Sequence, residues 1–109
     1  SLDPASYEQT ARPGSRAPHC WLEDGRSTLD LFGNGFVLLR FGGADPAGLG
    51  AAARAAGVPL ELVEIDDERI VSTYDAKLVL VRPDGHVAWR GEVAPDNARG
   101  IIDRVRGAA

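Results

Sequence analysis

The clearest β-strand in the sequence is Phe36-Val37-Leu38-Leu39-Arg40-Phe41. All of its residues except Arg40 are apolar, and such a nearly unbroken apolar run is typical of a strand that is covered on both faces. Gly42 and Gly43 end the strand, because glycine readily leaves the extended conformation. We therefore expect this strand to lie inside a sheet that has helices on both sides.

A helix and a second strand are predicted next. Asp45 is a favourable N-cap and Pro46 suits the first helical position. Gly57 is expected to end this helix, whose apolar residues recur at helical spacing: Leu49, Ala52, Ala53 and Ala56. Residues 60–65 at first alternate polar and apolar side chains, which indicates a strand nearer the edge of the sheet. A strand, a helix and a strand in so few residues predict a right-handed crossover and a parallel pair.

The second half of the chain predicts a hairpin flanked by helices. Asp66 can cap a short helical turn, and residues 77–82 form a strand that is apolar on both faces. Pro83-Asp84-Gly85 is a turn signal, so the strand that follows it returns antiparallel, with Val87 and Trp89 on one face. Pro95 opens a last helix with a buried apolar stripe, consisting of Ala98, Ile101, Ile102 and Val105.

This order of elements predicts an α/β fold with a mixed central sheet of about four strands and helices on both faces. The order also resembles the thioredoxin fold. By that resemblance the strands lie side by side in the order 60–65, 36–41, 77–82 and 86–91, with the last two antiparallel to the first two. Residues 1–18, which hold Pro4, Pro13 and Pro18, are expected to be an extended lead-in or linker, and 19–109 the thioredoxin-like domain.

Composition excludes several classes of function. A length of 109 residues fits one domain. Because 16 acidic residues outweigh 12 basic ones, we expect no nucleic-acid partner and no membrane partner. The longest apolar run is far too short for a membrane span. No charged-then-apolar leader opens the chain, so we expect a cytoplasmic location. A single cysteine excludes an internal disulfide.

Cys20 is the only residue that could carry thiol chemistry. In thioredoxin-like enzymes the reactive thiol follows the central strand at a helix N-terminus, where its pKa is lowered. Here that loop, residues 42–46, contains no sulfur, and the position of the usual cis-proline, about Ala76-Lys77, contains no proline. We therefore predict a redox-inactive domain, in which Cys20 is a small and mostly buried apolar side chain. The alternative is a peroxide-reducing cysteine.

No other residue forms a convincing site, and we assign no catalytic, cofactor-binding or metal-binding residue. His19 and His86 are the only histidines, and neither has a nearby carboxylate at ligand spacing. Asp66-Asp67-Glu68 resembles an acidic metal cluster, but helix N-termini attract acidic residues through the helix dipole. The glycine pairs at 33–35 and 42–43 do not form a dinucleotide fingerprint. We expect Trp89 to pack in the core.

Three stretches and the pair Trp21-Leu22 together resemble a known family; the stretches are Pro13–His19 (PGSRAPH), Asp24–Gly33 (DGRSTLDLFG) and Leu78–Gly91 (LVLVRPDGHVAWRG). They are similar to the C-terminal thioredoxin-like domain of FAD-dependent aromatic-ring hydroxylases. This family of single-component flavin monooxygenases includes phenol hydroxylase-type enzymes and tailoring hydroxylases of aromatic polyketide pathways. The resemblance spans residues 13–107.

The resemblance implies an accessory domain of a larger enzyme. FAD, NAD(P)H and the aromatic substrate are then bound by upstream domains, which would be this domain's partners, and subunit contacts in a homo-oligomer are possible. No cofactor is expected in this chain. The resemblance also implies an exposed apolar patch for docking, with Trp21, Leu29 and Phe32 as candidates. Two alternatives stay open: a free-standing thiol peroxidase that uses Cys20, and a free-standing dimerisation module.

Overall fold

The computed structural model describes residues 11–107. The strands are β1 (Phe36–Phe41), β2 (Leu60–Ile65), β3 (Leu78–Val81) and β4 (Val87–Gly91). The helices are α1 (Gly48–Ala55), α2 (Glu68–Tyr74) and α3 (Ala98–Gly107), and a 3-10 helix spans Thr28–Leu31. The predicted strands therefore all form, and their ends differ from the expected ones by at most one residue. No helix within residues 11–107 is long and apolar enough to cross a membrane.

The four strands form one mixed sheet in the predicted order β2-β1-β3-β4. β1 pairs with β2 in parallel, β3 is antiparallel to β1, and β4 is antiparallel to β3. β4 therefore runs in the same direction as β1 and β2. The expectation that both of the last strands oppose the first two was wrong, because the hairpin reverses the chain a second time.

The α/β fold class is confirmed by the way the sheet is covered on both sides. We call the side covered by α1 and α3 the helix face; its buried residues are Phe36, Leu38, Leu49, Ala53, Leu78, Leu80, Ile102 and Val105. We call the other side, covered by α2 and residues 11–32, the segment face; its buried residues are Ala11, Ala17, Val37, Leu39, Phe41, Ile65, Ile70, Tyr74, Ala76, Val79, Val81 and Val87. β1 supplies both faces, as its apolar run predicts.

A β-bulge corrects the predicted placement of the second tryptophan. Trp89 pairs with Leu80 whereas Val87 pairs with Val81, so two steps along β4 match one step along β3. Because Ala88 is the extra residue of the bulge, the side chains of Val87 and Trp89 point to opposite faces of the sheet. Val87 is therefore buried on the segment face, and Trp89 packs partly buried against the helix face. Core packing of Trp89 is confirmed, but its place on the same face as Val87 was wrong.

The helices begin later than predicted. The carboxylate of Asp45 accepts a hydrogen bond from the Ala47 N–H at 2.8 Å, which makes a local turn, and α1 begins at Gly48. Asp67, rather than Asp66, caps α2 by accepting from the Arg69 N–H at 2.9 Å. The last helix begins at Ala98, three residues after Pro95. Short acidic side chains stabilise turns as well as helix caps. The sequence alone therefore did not show whether Asp45 would form a turn or a helix cap.

Residues 11–18 lie against the β3–β4 hairpin. The Gly14 N–H donates to the Val87 carbonyl at 2.7 Å, and the Val87 N–H donates to the Ser15 carbonyl at 2.8 Å. The hairpin turn forms as predicted, with Gly85 at a φ of 84°. Ala17 is buried beneath it. Residues 1–10 of the predicted lead-in lie outside the described residues.

Candidate functional site

Residues 21–27 form a small hairpin that places Trp21 beside Ser27. These two residues form an isolated antiparallel bridge, and the Leu22 N–H donates to the Arg26 carbonyl at 2.8 Å. Gly25 turns the chain with a φ of 89°, as its Asp-Gly signal predicts. A carboxylate oxygen of Asp24 accepts from the Arg26 N–H at 3.0 Å, which tightens the turn.

The 3-10 helix that follows is capped at its start by reciprocal hydrogen bonds. The Ser27 hydroxyl accepts from the Leu29 N–H at 3.0 Å, and the Asp30 carboxylate accepts from the Ser27 N–H at 2.9 Å. This is a capping box, which satisfies backbone donors that the helix cannot bond itself. These hydrogen bonds fix the backbone around Leu29.

A buried hydrogen-bond network fastens this part of the chain to the segment face. The Pro18 carbonyl accepts from the Thr28 hydroxyl at 2.8 Å and from the Tyr74 hydroxyl at 2.6 Å. The Thr28 hydroxyl also accepts from the Cys20 N–H at 3.0 Å. Thr28 and Tyr74 are fully buried, and burial raises the pKa of the Tyr74 phenol far above its ordinary value. Since buried polar groups must be paired, these bonds specify the position of residues 18–28.

The expected exposed patch is confirmed for two of its three residues. Trp21 is 65% exposed and Leu29 is 43% exposed. The Trp21 ring contacts the edge of the His19 ring, with centroids 4.7 Å apart. Phe32 instead lies partly buried against the segment face. Trp21 and Leu29 are therefore the exposed large apolar residues of 19–32, and we call these two side chains the 19–32 surface.

Cys20 faces the core rather than a reactive loop. It is partly buried and packs against the segment face, as predicted for a small apolar side chain. Burial raises the pKa of its thiol, and the Asp67 carboxylate acts in the same direction, although a hydrogen bond with Thr73 opposes them. Because the thiolate is the nucleophile, a raised pKa leaves Cys20 mainly in its unreactive protonated form at neutral pH.

The histidines and the acidic run are tied into local structure. His86 Nδ1 lies 3.3 Å from the Asp84 carboxylate, so the expectation that it lacks a nearby carboxylate was wrong. The N–H of His86 also donates to Asp84. Within residues 11–107 no group of three or more His, Cys, Asp or Glu residues has a geometry that could hold a metal ion. Asp67 caps α2, which is the ordinary role expected for that acidic run.

Two places on the described residues, the start of α1 and an acidic surface hollow, do not suit the pyrophosphate of FAD. A flavin dinucleotide requires donors for its pyrophosphate, typically at a helix N-terminus after a first strand. At the start of α1, Asp45 is exposed and bonds to Ala47, so a carboxylate occupies that place. A surface hollow of ≈340 Å³ has Arg26 as the only cation in its lining, together with five acidic residues: Glu23, Asp24, Glu64, Asp66 and Asp67. This charge would repel a pyrophosphate.

The fold and this surface define a small α/β domain with a four-stranded mixed sheet and an apolar surface on its irregular segment. Residues 10–109 match the family described as aromatic-ring hydroxylase, C-terminal. The chain therefore belongs to the family of aromatic-ring hydroxylase C-terminal domains, as its resemblance implied.

Relatives of this chain include monooxygenases that are much longer than it is. The chain is 42% identical over 97 residues to the FAD-dependent monooxygenase apdD of Emericella nidulans, covering 82% of this chain and 15% of that protein. It is 36% identical over 115 residues to tetracenomycin A2 monooxygenase-dioxygenase of Streptomyces glaucescens, covering 91% of this chain and 20% of that protein.

Solved structures agree with these relationships. The rebeccamycin biosynthetic enzyme RebC with reduced flavin superposes with a TM-score of 0.90 at 49% identity, over 100% of this chain and 21% of RebC. Aklavinone-11 hydroxylase, in a ternary complex with FAD and aklavinone, superposes with a TM-score of 0.74 at 34% identity, over 94% of this chain and 23% of that enzyme. This chain thus spans about a fifth of the length of these two enzymes.

Proposed function

We propose that this chain is a redox-inactive accessory domain that docks on the catalytic part of an FAD- and NAD(P)H-dependent aromatic hydroxylase. The observation that carries the proposal is the 19–32 surface. Trp21 and Leu29 are exposed although they lie on a segment that a capping box and a buried network hold firmly. Exposed aromatic side chains on a rigid support are typical of protein contact sites.

The chemistry of the chain supports the same assignment. Cys20 packs against the core with a raised pKa, and the acidic hollow is unsuited to a flavin pyrophosphate. FAD, NAD(P)H and the aromatic ring would then be bound by the part of the enzyme that precedes this domain, since the relatives are about five times longer. We place the enzyme in the cytoplasm, where a lone free thiol is stable.

The test of docking uses the full-length parent enzyme with Trp21→Ser and Leu29→Ser together. We expect a protease to release the C-terminal domain at least about tenfold faster, because docking shields the linker and exposed sites respond to local opening. Val93→Ser is the matched control, since Val93 is 75% exposed in the loop between β4 and α3. Equal release rates for the double variant and the wild type would contradict the proposal.

A second measurement addresses the flavin. Equilibrium dialysis of the 109-residue chain against FAD is expected to leave no flavin on the protein, because the acidic hollow disfavours the pyrophosphate. Retention of one FAD per chain would overturn the accessory assignment. Dialysis of the parent enzyme, which we expect to retain FAD, is the positive control.

A further inference from the structure

The two edges of the sheet differ in how they are covered. At the β4 edge, Gly14 and Ser15 bond to both backbone groups of Val87. β2, at the other edge, pairs with β1 alone. In a parallel pair, alternate residues direct their N–H and C=O groups away from the partner, and within residues 11–107 no other segment bonds to those groups of β2. Its outer edge can therefore accept another strand.

Two surface hollows are lined in part by β2, and one of them adjoins its free edge. One, of ≈340 Å³, is lined by the second half of β2 together with Leu22, Leu31 and Ile70. The other, of ≈330 Å³, is lined by the starts of both β1 and β2, so it does not belong to the outer edge. An added strand would therefore meet one hollow, with apolar and acidic lining, beside the second half of β2. Strand addition uses main-chain bonds for affinity and such hollows for selectivity.

The charge around the edge indicates the chemistry of the added strand. Glu61 and Glu64 lie on β2, and Asp66 follows it directly. Glu64 pairs with Arg40 at 3.2 Å, whereas Glu61 and Asp66 have no ion pair within residues 11–107. A second copy of this chain would bring a similar acidic edge against this one, and like charges repel. A basic segment is complementary.

We propose that the outer edge of β2 is a strand-addition site for an extended basic segment of the polypeptide that precedes this domain in its parent enzyme. This inference rests on the proposed function, because the added strand would belong to the part of the parent enzyme that precedes this domain. The site adjoins the 19–32 surface along the chain: Leu22 and Leu31, which line the first hollow, alternate in sequence with Trp21 and Leu29, which are exposed. One partner can therefore cover both.

Hydrogen–deuterium exchange of residues 60–65 tests the site, by comparing the 109-residue chain with the full-length parent enzyme. We expect exchange of the outward amides of β2 to slow at least about tenfold in the parent enzyme, because an added strand hydrogen-bonds them. The parent enzyme with Glu61→Lys and Glu64→Lys is expected to lose most of that protection. The control, Glu92→Lys with Asp96→Lys, alters two exposed acidic residues after β4 and should keep it.

The outcomes separate the two proposals. If residues 60–65 exchange equally in both proteins while residues 19–32 are protected in the parent enzyme, strand addition is wrong and docking stands. If neither stretch is protected, both fail. If residues 60–65 become protected in the 109-residue chain at high concentration, the occupant is a second copy and the inference is overturned. The wild-type comparison decides the matter even if the lysine variants fold poorly.

Discussion

The two faces of the sheet are closed in different ways. α1 and α3 close the helix face with apolar side chains, and these helices satisfy most of their own backbone groups. The segment face is closed by α2 and by residues 11–32, of which only Thr28–Leu31 is helical. Irregular backbone must find other partners when it is buried. Here Thr28 and Tyr74 supply them by bonding to the Pro18 carbonyl.

This difference explains why the exposed apolar surface lies where it does. A regular helix that covers a sheet turns its apolar stripe inward and leaves polar residues outside, as Arg99 and Asp103 of α3 illustrate. An irregular segment fixed by hydrogen bonds can instead direct Trp21 and Leu29 outward. The helix face therefore chiefly stabilises the fold, whereas the segment face also carries the exposed side chains of Trp21 and Leu29.

The largest effect is expected from a cavity in the helix face. Ile102→Ala removes a fully buried side chain, which should lower the free energy of unfolding by about 2–5 kcal/mol. Ile101→Ala, one residue earlier on α3 and only partly buried, is the matched control and should cost less than half as much. Urea unfolding of the 109-residue chain measures both. Equal losses would mean that α3 does not close this face as described.

A smaller loss is expected when the buried network of the segment face is cut. Thr28→Val keeps the shape of the side chain but leaves the Cys20 N–H without its acceptor, so it should cost about 1–3 kcal/mol. Tyr74→Phe should cost less, about 0.5–1.5 kcal/mol, because the Pro18 carbonyl keeps its bond from Thr28. The same unfolding experiment ranks them. A neutral Thr28→Val variant would show that this face does not depend on its polar bonds.

Alkaline pH should weaken the segment face through Tyr74. Burial raises the pKa of its phenol above the ordinary value of 10.0. The unfolded chain therefore loses this proton at a lower pH than the folded protein does, so the stability that the neutral phenol contributes is present below pH 10 and is lost as the pH rises further. The free energies of unfolding of the wild type and of Tyr74→Phe should therefore converge as the pH rises above 10. A constant difference between them over that pH range would contradict the buried phenol.

The smallest change in stability is expected at the 19–32 surface. Trp21→Ala in the 109-residue chain removes an exposed ring whose chief contact is with His19, so stability should fall by less than about 1 kcal/mol. Thermal unfolding, with Ile102→Ala as the reference for a large effect, measures this. A loss as large as that of Ile102→Ala would show that Trp21 belongs to the core.

The regular part of the fold could be predicted from the sequence because its signals are local. The apolar run of β1, the alternation in β2 and the Pro83-Asp84-Gly85 turn each indicate one structure, and the strands form where expected. The direction of β4 and the bulge at Ala88 were wrong. Both depend on how β4 pairs with β3. The sequence of β4 alone does not show which of its residues pairs with which residue of β3.

The candidate site was only partly predictable. Trp21 and Leu29 could be named because they are large apolar residues on either side of the Asp24-Gly25 turn signal, yet Phe32 has the same character and packs inward. The hydrogen bonds from Thr28 and Tyr74 to the Pro18 carbonyl join residues that are distant in the chain, so no spacing in the sequence predicts them. The free edge of β2 was foreseeable from its alternation, but the hollow beside its second half depends on where residues 22–31 pack.

The central claim is that this chain contributes by contact and not by electron transfer, and thiol turnover tests it most directly. The 109-residue chain and its Cys20→Ser variant are each mixed with a hydroperoxide and a thiol reductant, and peroxide consumption is followed. We expect both proteins to match the rate of buffer and reductant alone, because the raised pKa keeps Cys20 protonated. Catalytic consumption by the wild type that disappears in Cys20→Ser would contradict the account.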